Sequence, residues 1–298
     1  MDDKTYQVLY STSLGYALYS LDNQISLHKS RGKLFFKDKK ILIGDYVKLD
    51  ESGLIYQIVD RKSSLSRPRL ANPDLVLVLI SAKQPDFSTY LLDKFLSLVN
   101  FSNIDAAIVV TKADLLSDNE LKTIKERLKY YNKIDYKTFL VDAHNREAFD
   151  FNELTTFISN KKVALMGQTG VGKSSLLNLI SSNLKRKVDS LHVSSGRGRH
   201  TTKEVILLPY ENGFLYDTPG FSELDLIELK PKDIAIFFPG FKKLFSSCKF
   251  NDCMHLGHEK DCAILKALKD DELSLDSYQN YCKIYEEVKA NDIWKKKI

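Results

Sequence analysis

Four short stretches of this chain combine residue types and spacings that do chemistry. The first is Gly167-Gln168-Thr169-Gly170-Val171-Gly172-Lys173-Ser174, followed by Ser175. Its glycines let successive backbone N–H groups curl around an anion, and a helix starting there turns its positive end toward the same point. In such a loop Lys173 reaches the outer phosphates of a nucleoside triphosphate and the Ser174 hydroxyl ligates magnesium. The second is Thr111-Lys112-Ala113-Asp114, directly after an apolar run. A carboxylate at Asp114 accepts hydrogen bonds from guanine N1–H and the exocyclic amine, a donor pair that adenine lacks. The Lys112 stem would cover the base plane. Together the two stretches point to GTP rather than ATP. Thr111 stands where asparagine is usual, so one polar contact there is expected to be weaker or rerouted.

The third stretch, Asp217-Thr218-Pro219-Gly220, ends another apolar segment. Asp217 would act on magnesium through a water, and the Gly220 N–H would sense the terminal phosphate. Between this stretch and the phosphate loop lie Thr201 and Thr202, where a magnesium-binding switch threonine belongs. Thr202 is preferred because it leads into the next strand. A second guanine-contacting loop is assigned to Val141-Asp142-Ala143-His144. Hydrolysis needs a group that orients the attacking water, commonly a glutamine just after the Asp-x-x-Gly stretch, but Phe221 occupies that place and cannot do so. Unassisted turnover should therefore be slow, and His200, beside the threonines, is the natural substitute.

The fourth stretch is Cys248-x4-Cys253 with His255, His258 and Cys262 close behind. Three soft thiolates and one imidazole suit tetrahedral zinc in a closed structural site, and on chemistry alone either histidine could supply the nitrogen. Cys282 shares a helical face with Tyr278, Tyr281 and Tyr285, which reads as core packing.

The elements that must position these residues follow from hydrophobic periodicity. Residues 1–66 read as short strands (7–10, 15–20, 24–28, 34–37, 46–49 and 55–59) punctuated by Gly32, Gly44 and Gly53, a pattern suited to a small barrel such as an OB-fold. Ser64–Pro73, with two prolines and two arginines, reads as a linker. From Asp74 buried strands alternate with amphipathic helices: strand 75–81, helix near 90–100, strand and loop 106–115, helix near 119–131, strand 137–144, helix near 151–159, then a strand, the phosphate loop and its helix over 161–180. Residues 204–220 form an expected hairpin. This alternation implies a mostly parallel, doubly wound sheet. Beyond Phe221 the pattern is helical, interrupted by the cysteines.

Composition bounds the rest. At 298 residues, 43% hydrophobic and 28% charged, the chain can bury a proper core. The densest apolar run, Leu75 to Ile80, is far below the ~20 residues of a membrane-spanning helix. No basic and apolar leader is visible at the start, so the cytoplasm is expected. The net charge of +5 is concentrated in three clusters, within 29–40, 185–203 and 295–297, which fits a polyanionic partner.

The order of the motifs is unusual. A small GTPase ordinarily runs phosphate loop, switch threonine, Asp-x-x-Gly, then the guanine motif. Here Thr111–Asp114 comes before the phosphate loop and Asp217–Gly220 comes last, a circular permutation. The chain after Gly220 hangs directly on the second switch, where a following domain is expected to register the nucleotide state.

This permuted order, the N-terminal barrel, the segment Gly198-Arg199-His200-Thr201-Thr202 and the cysteine cluster together resemble the ribosome-small-subunit-dependent GTPase family (RsgA, YjeQ or YloQ). The resemblance covers essentially the whole chain. It implies three domains: an OB-fold RNA-binding domain at 1–66, a circularly permuted α/β P-loop GTPase domain at 67–222, and a mainly α zinc-binding domain at 223–298. It implies GTP as substrate with Mg²⁺, and one structural Zn²⁺ held by Cys248, Cys253, His255 and Cys262, His255 being the histidine the family pattern favours. It also implies a monomer that binds the small ribosomal subunit through 16S rRNA and proteins, acts in its late maturation, and hydrolyses GTP when that subunit stimulates it. The family has a histidine at the place of His200. The alternative is a GTP-sensing RNA-binding adaptor in which hydrolysis is incidental.

Overall fold

The computed structural model of the protein describes residues 4–32, 40–66, 68–181, 205–218, 229–257 and 261–295. The expected strand at 34–37 lies outside these residues. The chain divides into two compact units, one of Met1–Val76, Leu154–Leu165 and Ser174–Gly220, the other of Leu77–Glu153, Met166–Lys173 and Phe221–Ile298.

In the first unit, β1 (Tyr6–Thr12), β2 (Gly15–Tyr19), β3 (Ile25–His28), β4 (Tyr46–Leu49) and β5 (Ile55–Ile58) form an antiparallel sheet in the order β3-β2-β1-β4-β5. A bridge between Ser30 and Ile55 ties its two edges, with Arg31 N donating to Ile55 O and Ile55 N to Lys29 O, so the sheet closes into a barrel. Val8, Leu18, Val47 and Ile55 fill its interior. Ser64–Pro73 is not an extended linker. Ser64–Ser66 (β6) and Arg69–Ala71 (β7) pair as a hairpin, because Leu65, Leu70 and Ala71 are buried and outweigh the turn-forming proline between them.

The same unit holds most of β11 (Lys162–Met166), and the hairpin β12 (Ile206–Tyr210) and β13 (Gly213–Asp217), neighbours in the order β11-β13-β12. β11 and β13 run parallel, whereas β12 and β13 pair antiparallel as expected. Phe214 packs edge-on against Tyr19 of the barrel, and Asp74 N donates to Lys162 O while Lys162 N donates to Asp74 Oδ2, both at 2.8 Å.

In the second unit β10 (Lys137–Leu140), β9 (Asp105–Thr111) and β8 (Leu75–Ser81, which enters from the first unit) are neighbours in that order. β10 and β9 are parallel, and β8 is buried at all seven positions, as its unbroken apolar run predicts. Helix α1 (Thr89–Phe101) starts at Ser88, whose side chain accepts from Leu91 N, and buries Leu92, Phe95, Leu96 and Val99. Helix α2 (Asp118–Lys133) starts with a capping box between Ser117 and Glu120. Helices α3 (Phe151–Ile158) and α4 (Lys173–Ser181) start in this unit, and most of each belongs to the first.

The C-terminal region of the second unit comprises α5 (Ile234–Phe237), α6 (Ala263–Lys269) and the long α7 (Leu275–Lys295) around Phe238, Phe241, Ile264, Tyr281 and Ile284. It does not hang from its connection alone, because α7 packs on α1 through a polar seam. Asn280 Nδ2 donates to Asp93 Oδ2 at 2.8 Å, and Tyr131 on α2 donates to Asp93 Oδ1 at 2.9 Å. Lys94 and Tyr90 both reach the Glu287 carboxylate at 2.5 Å. Burial raises the Asp93 carboxyl to about 7 against the pull of its Asn280 and Tyr131 donors. The C-terminal core is thus fastened to the two helices that flank the guanine motif.

Candidate nucleotide and metal sites

The phosphate loop belongs to the second unit and runs from the end of β11 into α4. Gly167 is needed for close approach, since a Cβ there would lie 2.5 Å from the Leu79 carbonyl oxygen. Gly170 and Gly172 have φ of +82° and +90°, which L side chains rarely adopt. Thr169 and Gly170 are exposed at the loop's tip, Gln168 is half-buried and Val171 is fully buried beneath it. Ser174 is exposed and Ser175 half-buried in the first turn of α4. The loop is a ready cradle for phosphate oxygens.

Lys173 is 9% exposed and its ammonium folds back onto the Gly167 carbonyl and, at 3.1 Å, the Gln168 carbonyl. Burial lowers its pKa to about 8. A triphosphate beside it favours the charged form and raises that value again. Above about pH 8 nucleotide binding should therefore take up a proton, approaching one per site at pH 9 and near zero at pH 6.5, with affinity falling as pH rises. Calorimetric titration in buffers of different ionisation enthalpy measures this directly; equal apparent enthalpies at pH 9 in all buffers would refute it.

The guanine motif sits at the end of β9 in the same unit. Thr111 is fully buried, and its hydroxyl donates to the Val171 carbonyl at 2.5 Å. This hydrogen bond ties the stretch 111–114 to the phosphate loop. Lys112 adopts φ +57°, and its ammonium binds the Gln84 carbonyl, which holds its stem in place. Ala113 is buried, with its N–H 3.3 Å from the Val141 carbonyl oxygen, so the 141–144 loop supports the motif. Asp142 accepts from the His144 N–H at 2.8 Å. Asp114 is exposed in the turn Ala113–Leu115.

In the first unit, Asp217 closes β13 opposite Ile206, and the buried Thr218 hydroxyl donates to the Leu165 carbonyl at 3.0 Å. Ser174 and Asp217 are hard oxygen donors of the kind magnesium takes alongside phosphates and water. His200, Thr201, Thr202, Gly220 and Phe221 lie outside the described residues.

In the C-terminal region the ligand atoms of Cys248, Cys253, His255 and Cys262 all lie within 4.8 Å of one another. Cys248 Sγ is 4.0 Å from Cys262 Sγ and 3.6 Å from His255 Nδ1. Ligands about 2.3 Å (sulfur) and 2.0–2.1 Å (nitrogen) from a tetrahedral zinc would stand roughly 3.8 and 3.6 Å apart, so the group fits the ion. The alternative His258 lies outside the described residues. Burial and the neighbouring sulfurs push the Cys253 thiol up to about 12, and burial raises Cys262 too. The outer shell is built as well: Tyr278 donates to His255 O, Tyr281 to Met254 O, and the Ala263 N–H points at Cys248 Sγ from 3.3 Å. Tyr281 and Tyr285 are buried in the core around the cluster, the packing role expected for this face of α7. Cys253→Ser should abolish zinc binding and loosen this core while leaving nucleotide affinity within about twofold, since metal-linked folding is local to the ligands. Elemental analysis and nucleotide titration check it, and a wild-type protein purified without chelator and free of zinc would refute it.

Gln84 and the Val171 carbonyl, which hold Lys112 and Thr111, carry no sequence signal of their own; both act through backbone carbonyls that every residue has.

Comparison with known proteins agrees with this geometry. The family model for the RsgA GTPase matches residues 58–227. The small ribosomal subunit biogenesis GTPase RsgA 2 of Oceanobacillus iheyensis is 38% identical over 93% of this chain and 94% of its own. The small ribosomal subunit biogenesis GTPase RsgA of Bacillus subtilis is 36% identical over 92% and 93%. Among solved structures, YloQ, described as a circularly permuted GTPase, superposes with a TM-score of 0.80 at 30% identity, covering 97% of this chain and 96% of that one. YjeQ from Thermotoga maritima gives 0.80 at 29% identity, covering 96% and 98%. With its guanine motif ahead of its phosphate loop and a Cys3His cluster in its C-terminal region, this chain belongs to the RsgA GTPase family.

Proposed function

We propose that the protein is a GTPase that acts in late maturation of the small ribosomal subunit, hydrolysing GTP to GDP and phosphate when that subunit stimulates it. The observation that carries the nucleotide part is the Thr111–Val171 hydrogen bond, which joins a guanine-selective motif to a phosphate cradle. The subunit part rests on the relatives' names and on the basic clusters. In this reading residues 167–175 hold the phosphates, with Lys173 on the outer ones. Residues 111–114 read guanine, Ser174, Thr202 and Asp217 serve magnesium, Thr201 lines the nucleotide, Gly220 senses the terminal phosphate and His200 orients water. The barrel of 1–66 binds 16S rRNA, 67–222 is the permuted GTPase domain, and 223–298 carries one structural zinc. The protein works as a monomer in the cytoplasm; no helix among the described residues is long and apolar enough to cross a membrane.

The test is phosphate release measured with and without purified small subunits, alongside co-sedimentation with the GTP and GDP forms. Strong acceleration and GTP-dependent co-sedimentation are expected. Co-sedimentation without acceleration would replace this reading with that of a GTP-sensing RNA-binding adaptor.

A further inference from the structure

Strand β13 presents different neighbours on its two faces. Phe214 and Tyr216 point toward the barrel, while Leu215 lies buried on the opposite face and Asp217 follows it at the strand's end. Tyr216 is fully buried, and its hydroxyl donates to the Ala71 carbonyl at 2.5 Å. Gly44 makes room for it, for a Cβ there would lie 2.1 Å from the Tyr216 hydroxyl and 2.2 Å from the Ala71 oxygen. The backbone that receives the phenol is itself tightly held. Ala71 N donates to Ile43 O, Gly44 N donates to Val8 O, and the buried Asn72 side chain donates to Gly44 O at 3.1 Å. The fully buried Asp45 next to it takes both arms of Arg61 at 2.7 and 2.8 Å. Burial keeps the phenol protonated, well above its ordinary range, so it remains a donor. On its other edges Tyr216 is locked between Ala164 of β11 and Leu207 of β12.

A rigid strand held this way cannot slide or roll at Tyr216 without doing so at Asp217, one peptide further on. We propose that Tyr216 is a positioning residue that couples the N-terminal barrel to Asp217, so that occupancy of the barrel and the magnesium-linked carboxylate bias one another. The coupling runs through β13 itself and enters the Asp217–Gly220 stretch at its first residue. It rests on the GTPase reading for the role of Asp217. Because linkage is reciprocal, magnesium and nucleotide at the site must also change the stability of the barrel contact around Ile43–Tyr46 and Arg69–Ala71.

The test pairs a variant with a measurement on the unaltered protein. Tyr216→Phe keeps the ring and removes the phenol's hydrogen bond to Ala71 O. It should keep GTP affinity in the absence of magnesium, since the phosphate loop is untouched. It should raise the magnesium concentration for half-maximal turnover by about tenfold and cut the stimulation given by small subunits by a similar factor, within the range linked sites show. A side chain that merely filled the core would lower thermal stability and leave both quantities alone. Hydrogen exchange on the wild type, loaded with GDP and compared with and without magnesium, should show changed protection at residues 43–46 and 69–71. A Tyr216→Phe protein with the wild-type magnesium requirement and stimulation overturns the proposal. If the variant does not fold, or if the wild type does not hydrolyse GTP, which would sink the GTPase reading by itself, the exchange experiment decides: unchanged protection overturns the coupling and changed protection supports it.

Discussion

Replacing His200 by alanine is expected to lower subunit-stimulated GTP turnover by roughly 10²-fold or more, about 2.7 kcal/mol of transition-state stabilisation, while GTP binding persists. The position after the Asp-x-x-Gly stretch holds Phe221, which offers no lone pair or proton to a water. His200, next to the switch threonines, does: a neutral imidazole accepts the water's hydrogen bond and then its proton near pH 7. In the proposed reading nucleotide affinity comes from other groups, namely the phosphate-loop backbone, Lys173 and Asp114, so it is expected to survive the change. The variant should load GTP, bind small subunits and then fail to leave them, because the GTP state persists. Single-turnover phosphate release on purified subunits, with co-sedimentation as the second readout, measures both halves. Wild-type release by His200→Ala would assign the stimulating group to the ribosome or to another switch residue.

Asp114→Asn is expected to shift the protein's preference from GTP to xanthosine triphosphate. In the proposed reading the carboxylate accepts from N1–H and from the 2-amino group; an amide in its place would turn one N–H₂ toward a donor on guanine, whereas xanthine presents an oxygen at that carbon. Facing two donors across a base edge costs up to roughly 4 kcal/mol, about a thousandfold in GTP affinity. The surroundings favour a clean result. Asp114 is exposed, and its loop is held by Thr111 on Val171, Lys112 on Gln84 and Ala113 on Val141, none of which uses the Asp114 side chain. The substitution therefore leaves the loop's path intact. Competition titrations with the two triphosphates give the ratio, and unchanged GTP affinity would remove Asp114 from the guanine site.

Much of this protein was legible before its structure. The strands at 75–81 and 46–49 have the bounds their apolar patterns predict, and α1, α2 and α3 fall within two residues of the expected ends. Those features are local: period-2 and period-3.6 burial, caps and glycine turns are written in adjacent residues. The phosphate loop, the guanine motif and the cysteine spacing are legible for the same reason, since each packs its chemistry into about fifteen residues or fewer. What tertiary structure alone decided are contacts between residues far apart in the chain. The prolines and arginines of Ser64–Pro73 predict a linker; only the burial of Leu65, Leu70 and Ala71 shows that it holds a hairpin. The Thr111 contact with Val171 spans 60 residues, the Tyr216 contact with Ala71 spans 145, and the Asn280 contact with Asp93 spans 187. In each case one partner is a carbonyl or a buried carboxylate that no local pattern marks. A buried polar group takes whichever partner the packed chain brings within reach, so the motifs could be read from the sequence, and the contacts that hold them in place could not.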